Sequence, residues 1–208
     1  MRLQNQDIRR GEVLFLALAL MWITASCARV QDVRVRYQVP APSNELAGKR
    51  VFIDLQDRRE DVRILGKGAL KEYTYHSGNV DLIVSQGVKA PPSTESKSIP
   101  SLFRDVFSRR IQALGGETVC RRAEADVFLV VALDAFSLDF EDRTWFARMA
   151  YEAQVVRNGQ VRARQSMTGE AERVKILGLQ QADQVMGDLF TDVVNRLDIP
   201  ELFHKAGH

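Results

Sequence analysis

Apolar and polar residues alternate over Val33, Val35, Tyr37 and Val39, with Arg34, Arg36 and Gln38 between them. A period of two predicts a strand stopped by Pro40 and Pro42, although an extended tether has the same reach. Arg50 to Leu55 (RVFIDL) reads as a buried strand running into the charged turn Gln56 to Asp61. Glu72–Tyr75 and Val80–Ser85 read as a short hairpin around Ser77-Gly78-Asn79, and Gln86 to Ser98, with Pro91-Pro92, as a loop. The period then changes. Phe103, Val106, Phe107, Arg110, Ile111 and Leu114 share one helical face that begins after Ser98 and stops at Gly115-Gly116.

Ala125 to Phe140 predicts the longest strand, with Val127 to Leu133 apolar on both sides and strict alternation beyond. Two further strands, Arg143 to Val156 and Gln160 to Glu172, flank Asn158-Gly159, a dipeptide that tolerates the positive φ angles of a tight hairpin. Trp145, Ala147, Met149, Tyr151, Ala153 and Val155 form the expected inner face, continued by Val161, Ala163, Met167, Gly169 and Ala171. Arg148, Glu152, Gln154, Arg162, Arg164 and Glu170 form the outer one. Leu179 to Leu197 has helical periodicity, and Ile199 to Phe203 begins a closing turn. The order predicts an α+β fold, a mostly antiparallel sheet with a long C-terminal hairpin and two amphipathic helices packed on one face.

The first residues carry a different signal. Arg2, Arg9 and Arg10 precede the apolar run Val13 to Ile23, which ends in Thr24-Ala25-Ser26-Cys27. Such a run makes a helix of about 16 Å, short of a ~30 Å hydrocarbon core, so it reads as a secretory signal. The small-small-Cys exit resembles the lipobox of bacterial lipoproteins, in which the cysteine is acylated after cleavage before it. The resemblance implies lipid, palmitate included, on Cys27, and Ala28 after it points to the periplasmic face of the outer membrane. Ordinary cleavage near Ala28, giving a soluble periplasmic protein, and an uncleaved anchor are the other readings. Cys120 is then a lone thiol, or else the partner of Cys27 in a disulfide. The expected organisation is a signal peptide over 1–26, a lipidated tether or edge strand over 27–48, and one α+β domain over 49–205 with the Pro-rich loop 86–98.

Composition narrows the chemistry. Of 208 residues 45% are hydrophobic and 27% charged, and 29 Lys+Arg against 27 Asp+Glu give a net charge of +2. That balance lacks the basic excess of a nucleic-acid binder. His76, His204 and His208 have no metal-ligand spacing, and Gly66-Lys67-Gly68 lacks the pattern of a nucleotide loop. No cofactor, nucleotide or catalytic set is expected. Asp134, Asp139, Glu141 and Asp142 read as a solvated strand end or a cation or glycan site. The expected partner contacts are Asp57, Arg58 and the outward arginines Arg148, Arg162 and Arg164, facing an acidic partner or lipid headgroups.

Val51-Phe52-Ile53-Asp54, then Asp57-Arg58-Arg59, then Ile64-Leu65-Gly66 resemble the start of YajG-type bacterial lipoproteins. The order of elements from Lys49 to Lys205 is similar, and Asp57 and Arg58 are the charged positions carried over. Size, anchor and α/β build also resemble the auxiliary lipoproteins of ABC-type lipid transporters. Neither resemblance implies an enzyme. The expected function is a lipid-anchored, non-enzymatic binding or assembly module of the cell envelope whose partners are the membrane, through its lipid, and another envelope protein. The alternative is an auxiliary subunit of an envelope lipid transporter.

Overall fold

The apolar run after Asp126 becomes the centre of the larger of two sheets. The computed structural model describes residues 31–73, 75–85 and 94–207. The expected signal peptide, Cys27 and most of the Pro-rich stretch lie outside them. Strand β6 (Val127–Glu141) pairs antiparallel with β7 (Thr144–Arg157), and β7 with β8 (Gln160–Val174). On its other side β6 pairs in parallel with β2 (Arg50–Asp57), which also carries the two-residue β5 (Glu117–Thr118). The order is β5-β2-β6-β7-β8. The Asn158-Gly159 turn has φ of 51° and 73°, as the sequence predicts.

A bulge explains the change of pattern in β6. Leu133 faces Tyr151 while Ala135 faces Ala150, so Asp134 is the extra residue. Before it Leu129, Val131 and Leu133 point inward; after it Phe136 and Leu138 do. Each side keeps its apolar residues in the core because the bulge shifts the register by one.

The second sheet is a departure from the single sheet expected. Its order is β1-β3-β4, from β1 (Val33–Gln38), β3 (Val80–Ser85) and β4 (Thr94–Lys97). β1 and β3 run parallel, β3 and β4 antiparallel. The segment expected to be a tether or an edge strand is therefore an edge strand, with Val33, Val35 and Tyr37 fully buried. The expected hairpin at Glu72–Ser85 does not form. Ala69–Glu72 makes one helical turn, α1, and β3 takes its partners from elsewhere. The tail of the expected loop, Thr94–Lys97, is strand, while 86–93 lies outside the described residues.

Helices α2 (Ile99–Ala113) and α3 (Gln180–Asn195) lie on the inner face of the larger sheet, and α4 (Ile199–Lys205) closes the chain. Phe103 and Phe107 of α2 meet Tyr151 edge-on, and Phe190 of α3 meets Phe103 and Phe136. Arg110, buried on α2, donates to the carbonyls of Val194 and Leu197, satisfying groups that the end of α3 leaves without helical partners. Burial pushes its pKa down, and the carbonyls hold the charge in place.

Along α3, Asp183, Gly187, Thr191 and Asn195 recur every four residues and face the free edge of β1. Asp183 Oδ1 accepts from the Arg34 amide (3.0 Å) and Thr191 Oγ1 from the Gln38 amide (3.3 Å). Thr191 donates to the Arg36 carbonyl (3.1 Å), and Asn195 Nδ2 to that of Gln38 (2.9 Å). A helix thus occupies the place of a neighbouring strand and removes an edge open to aggregation.

Candidate functional site: the open face of the larger sheet

With both long helices on the inner face, the outer face of β2-β6-β7-β8 is left to solvent, and Arg148, Arg164, Thr168 and Glu170 on it are exposed. Its side chains form rows, because directly paired residues point to the same side. At the end near the Asn158-Gly159 turn, Phe52, Phe128, Val156 and Val161 form an apolar row across four strands. The Arg122 guanidinium lies 5.6 Å from the Phe52 ring centre and 5.8 Å from that of Phe128, and it pairs with Asp54 at 3.0 Å. The middle is floored by the small residues Ala132, Ala135, Ser137 and Ala150.

Charges of both signs surround that floor. Arg58 follows β2, where its amide continues the ladder to the Leu133 carbonyl (2.8 Å). Its guanidinium reaches Asp134 at 3.1 Å and Glu152 at 3.9 Å. Arg148 stands 3.5 Å from Glu170. Arg164 sits across from Gln154, one row nearer the apolar end.

The fold gathers Arg58, Arg148 and Arg164 on one surface and separates the other two expected contacts. Asp57 turns to its neighbour Arg59, with both distances at 2.8 Å, and the Arg59 side chain is only 4% exposed. Arg59 holds the Asp57 carboxyl below its usual range, chiefly through the side-chain hydrogen bond. This pair fixes the turn after β2 that aims Arg58. Arg162 leaves the row because β8 bulges there: Val155 faces Ala163 and Val156 faces Val161. Arg162 lines a cleft with Arg157 and Lys205 at the turn end. The same bulge corrects Val161, expected inside and in fact 51% exposed on the outer face. Cys27 lies outside the described residues.

Of the expected acidic cluster, Asp134 serves Arg58. Asp139 Oδ1 accepts from the amides of Gly68 (2.9 Å) and Phe140 (2.8 Å), tying α1 to the sheet. The flanking glycines permit this approach, since a Cβ on Gly66 would sit 2.2 Å from the Asp139 carboxyl carbon. Sequence reasoning missed the Phe52-Phe128-Arg122 stack. RVFIDL reads as a buried strand, and only the pairing of β2 with β6 brings the two rings together on the outer face. Among the described residues no helix is long and apolar enough to cross a membrane.

The fold is similar to that of protein XCC0632 from Xanthomonas campestris, a DUF330 protein, with a TM-score of 0.53 and 13% identity over 84% of this chain and 95% of that one. More remote are a neuraminyllactose-binding hemagglutinin homolog from Helicobacter pylori (TM-score 0.38, 12% identity, 81% and 94% covered) and lipoprotein GNA1162 from Neisseria meningitidis (0.29, 14%, 71% and 96%). At 13% identity the likeness to XCC0632 is one of fold alone. The sequence matches no family model and no curated protein.

Proposed function

We propose that this chain is a lipid-anchored, non-catalytic binding module of the bacterial cell envelope, whose outer sheet face takes a partner protein. The observation that carries the reading is the open face itself. A four-strand platform carries a recessed small-residue floor, an aromatic row and arginines paired with carboxylates. A mixed surface of this kind suits a protein partner that exchanges charge pairs and covers the apolar row, rather than a uniformly acidic one. The non-catalytic part is supported by the carboxylates Asp57, Asp134 and Glu152, each of which faces a guanidinium instead of a cleft. The anchor is supported by the basic head, short apolar run and Ala25-Ser26-Cys27 exit. The outer membrane as address rests on Ala28, and the YajG-type kinship on Val51–Asp54, Asp57 and Arg58.

The test is to replace Arg58, Arg148 and Arg164 together with glutamate and to compare crosslinked partners in intact cells. The reading expects loss of a specific crosslinked protein with the fold retained. An unchanged set of partners would remove this face from the account.

A further inference from the structure

Five of the exposed large apolar side chains gather where the chain enters the fold. The Gln31 amide donates to the Tyr75 carbonyl (2.9 Å), and Asp32 accepts from the Ser77 hydroxyl (2.7 Å) beside the His76 ring (3.0 Å). Tyr75 is 56% exposed, and His76 shares a cleft with Val62 and Leu70, themselves 68% and 44% exposed. Leu70 lies on α1, whose Glu72 pairs with Lys175. After Lys175 come Ile176 and Leu177, at 82% and 80% exposure the barest large apolar residues described. Apolar side chains spread over three segments and held to one end of the fold mark an interaction surface. Single exposed apolar residues would need no explanation.

We infer that this end, carried by Val62, Leu70, Tyr75, Ile176 and Leu177, docks on the bilayer that holds the lipid. The inference rests on the anchor at Cys27 proposed above. Four residue-to-residue steps lead from Cys27 to Gln31, a reach of at most about 14 Å. A lipidated Cys27 therefore keeps Gln31 within that distance of the headgroups, and Gln31 is bonded to the Tyr75 backbone. Apolar side chains held so close enter the boundary between headgroups and acyl chains. The charges agree with this orientation. Lys67 and Lys71 are exposed beside Leu70, and Asp61, next to Val62, is paired with Arg63 at 2.7 Å. The strands β6, β7 and β8 then point away from the membrane and hold the row of Phe52 and Phe128 at the distal end, roughly 40 Å away along strands of this length.

The test uses the full chain, purified from membranes, with Cys120→Ser and either Leu177→Cys or Val161→Cys carrying an environment-sensitive fluorophore. The protein is placed in vesicles of phosphatidylethanolamine and phosphatidylglycerol. A lipidated Cys27 has no free thiol, so each chain takes one label. The expected result is a blue-shifted, brighter emission at 177, quenched by lipids with a headgroup-level quencher, and an aqueous emission at 161. Singly labelled, vesicle-bound protein with an aqueous signal at 177 overturns the docking and leaves the anchor standing. So does shielding at 177 seen in whole envelopes but absent in vesicles, which would assign this end to a protein. Two labels per chain and no vesicle binding overturn the anchor and the docking together.

Discussion

Gly187 of α3 lies against the backbone of Arg36 in β1, so close that a Cβ on Gly187 would stand 3.0 Å from the Arg36 amide nitrogen. That approach lets Asp183, Thr191 and Asn195 reach the strand edge from the same stripe. Gly187→Val is expected to destabilise by about 1–3 kcal/mol, as overpacking does, in equilibrium denaturation. An unchanged midpoint would mean that the helix does not cap the strand.

Asp183 gives this seam a pH dependence. Burial raises its pKa above the ordinary carboxylate value, so the folded state favours its proton. Its contribution to stability falls as pH rises through the folded value. Asp183→Asn keeps an acceptor for the Arg34 amide without the charge. Denaturation from about pH 4 to about pH 7 should show the variant gaining on the parent as pH rises.

The Asp57–Arg59 pair has the opposite sign. The carboxyl is held low, so its contribution is present above the ordinary carboxylate value and is lost as pH falls below it toward the folded value. Asp57→Asn should flatten that acid limb. Asp57→Ala leaves the buried guanidinium without its partner and should cost about 2–3 kcal/mol in thermal or chemical denaturation.

Core and face are separated by three alanine substitutions. Phe107→Ala should cost about 3–5 kcal/mol. Val130→Ala should cost about 1–2 kcal/mol, since Val130 stands in the row of the outer face with Asp54 and Gln154. Arg164→Ala should cost under about 0.5 kcal/mol. Any other ranking by denaturation midpoint would contradict the register.

Much of this register was legible in the sequence. Trp145 to Val155 alternates cleanly because one face of β7 is buried and the other wet, and Asn158-Gly159 fixes the turn. Phe103 to Leu114 shows its helix because its apolar stripe has one destination. Where the reading failed, the cause was a local event or a distant partner. A single extra residue at Arg162 moved Val161 outward and took Arg162 off the face, and no periodicity announces a bulge. β3 read as half of a hairpin because a period of two does not say whether the partner is the next segment or β1. Arg58 was legible as an exposed charge, but Asp134 and Glu152 joined it only through pairing across β6 and β7.

The proposed anchor makes its own prediction. Cys27→Ala should leave the chain uncleaved or release it from the membrane fraction, and should abolish palmitate incorporation. Incorporation that survives the substitution would place the lipid elsewhere.

The central claim, that the outer sheet face is the recognition surface, is tested most directly by a photoreactive amino acid at Ala150, in the small-residue floor, with the same group at Lys205 beside the Arg162 cleft as reference. After irradiation of intact cells, the account predicts a discrete crosslinked protein from position 150 that disappears in the Arg58, Arg148 and Arg164 charge reversal. Crosslinks from position 205 alone, with none from 150, would contradict it.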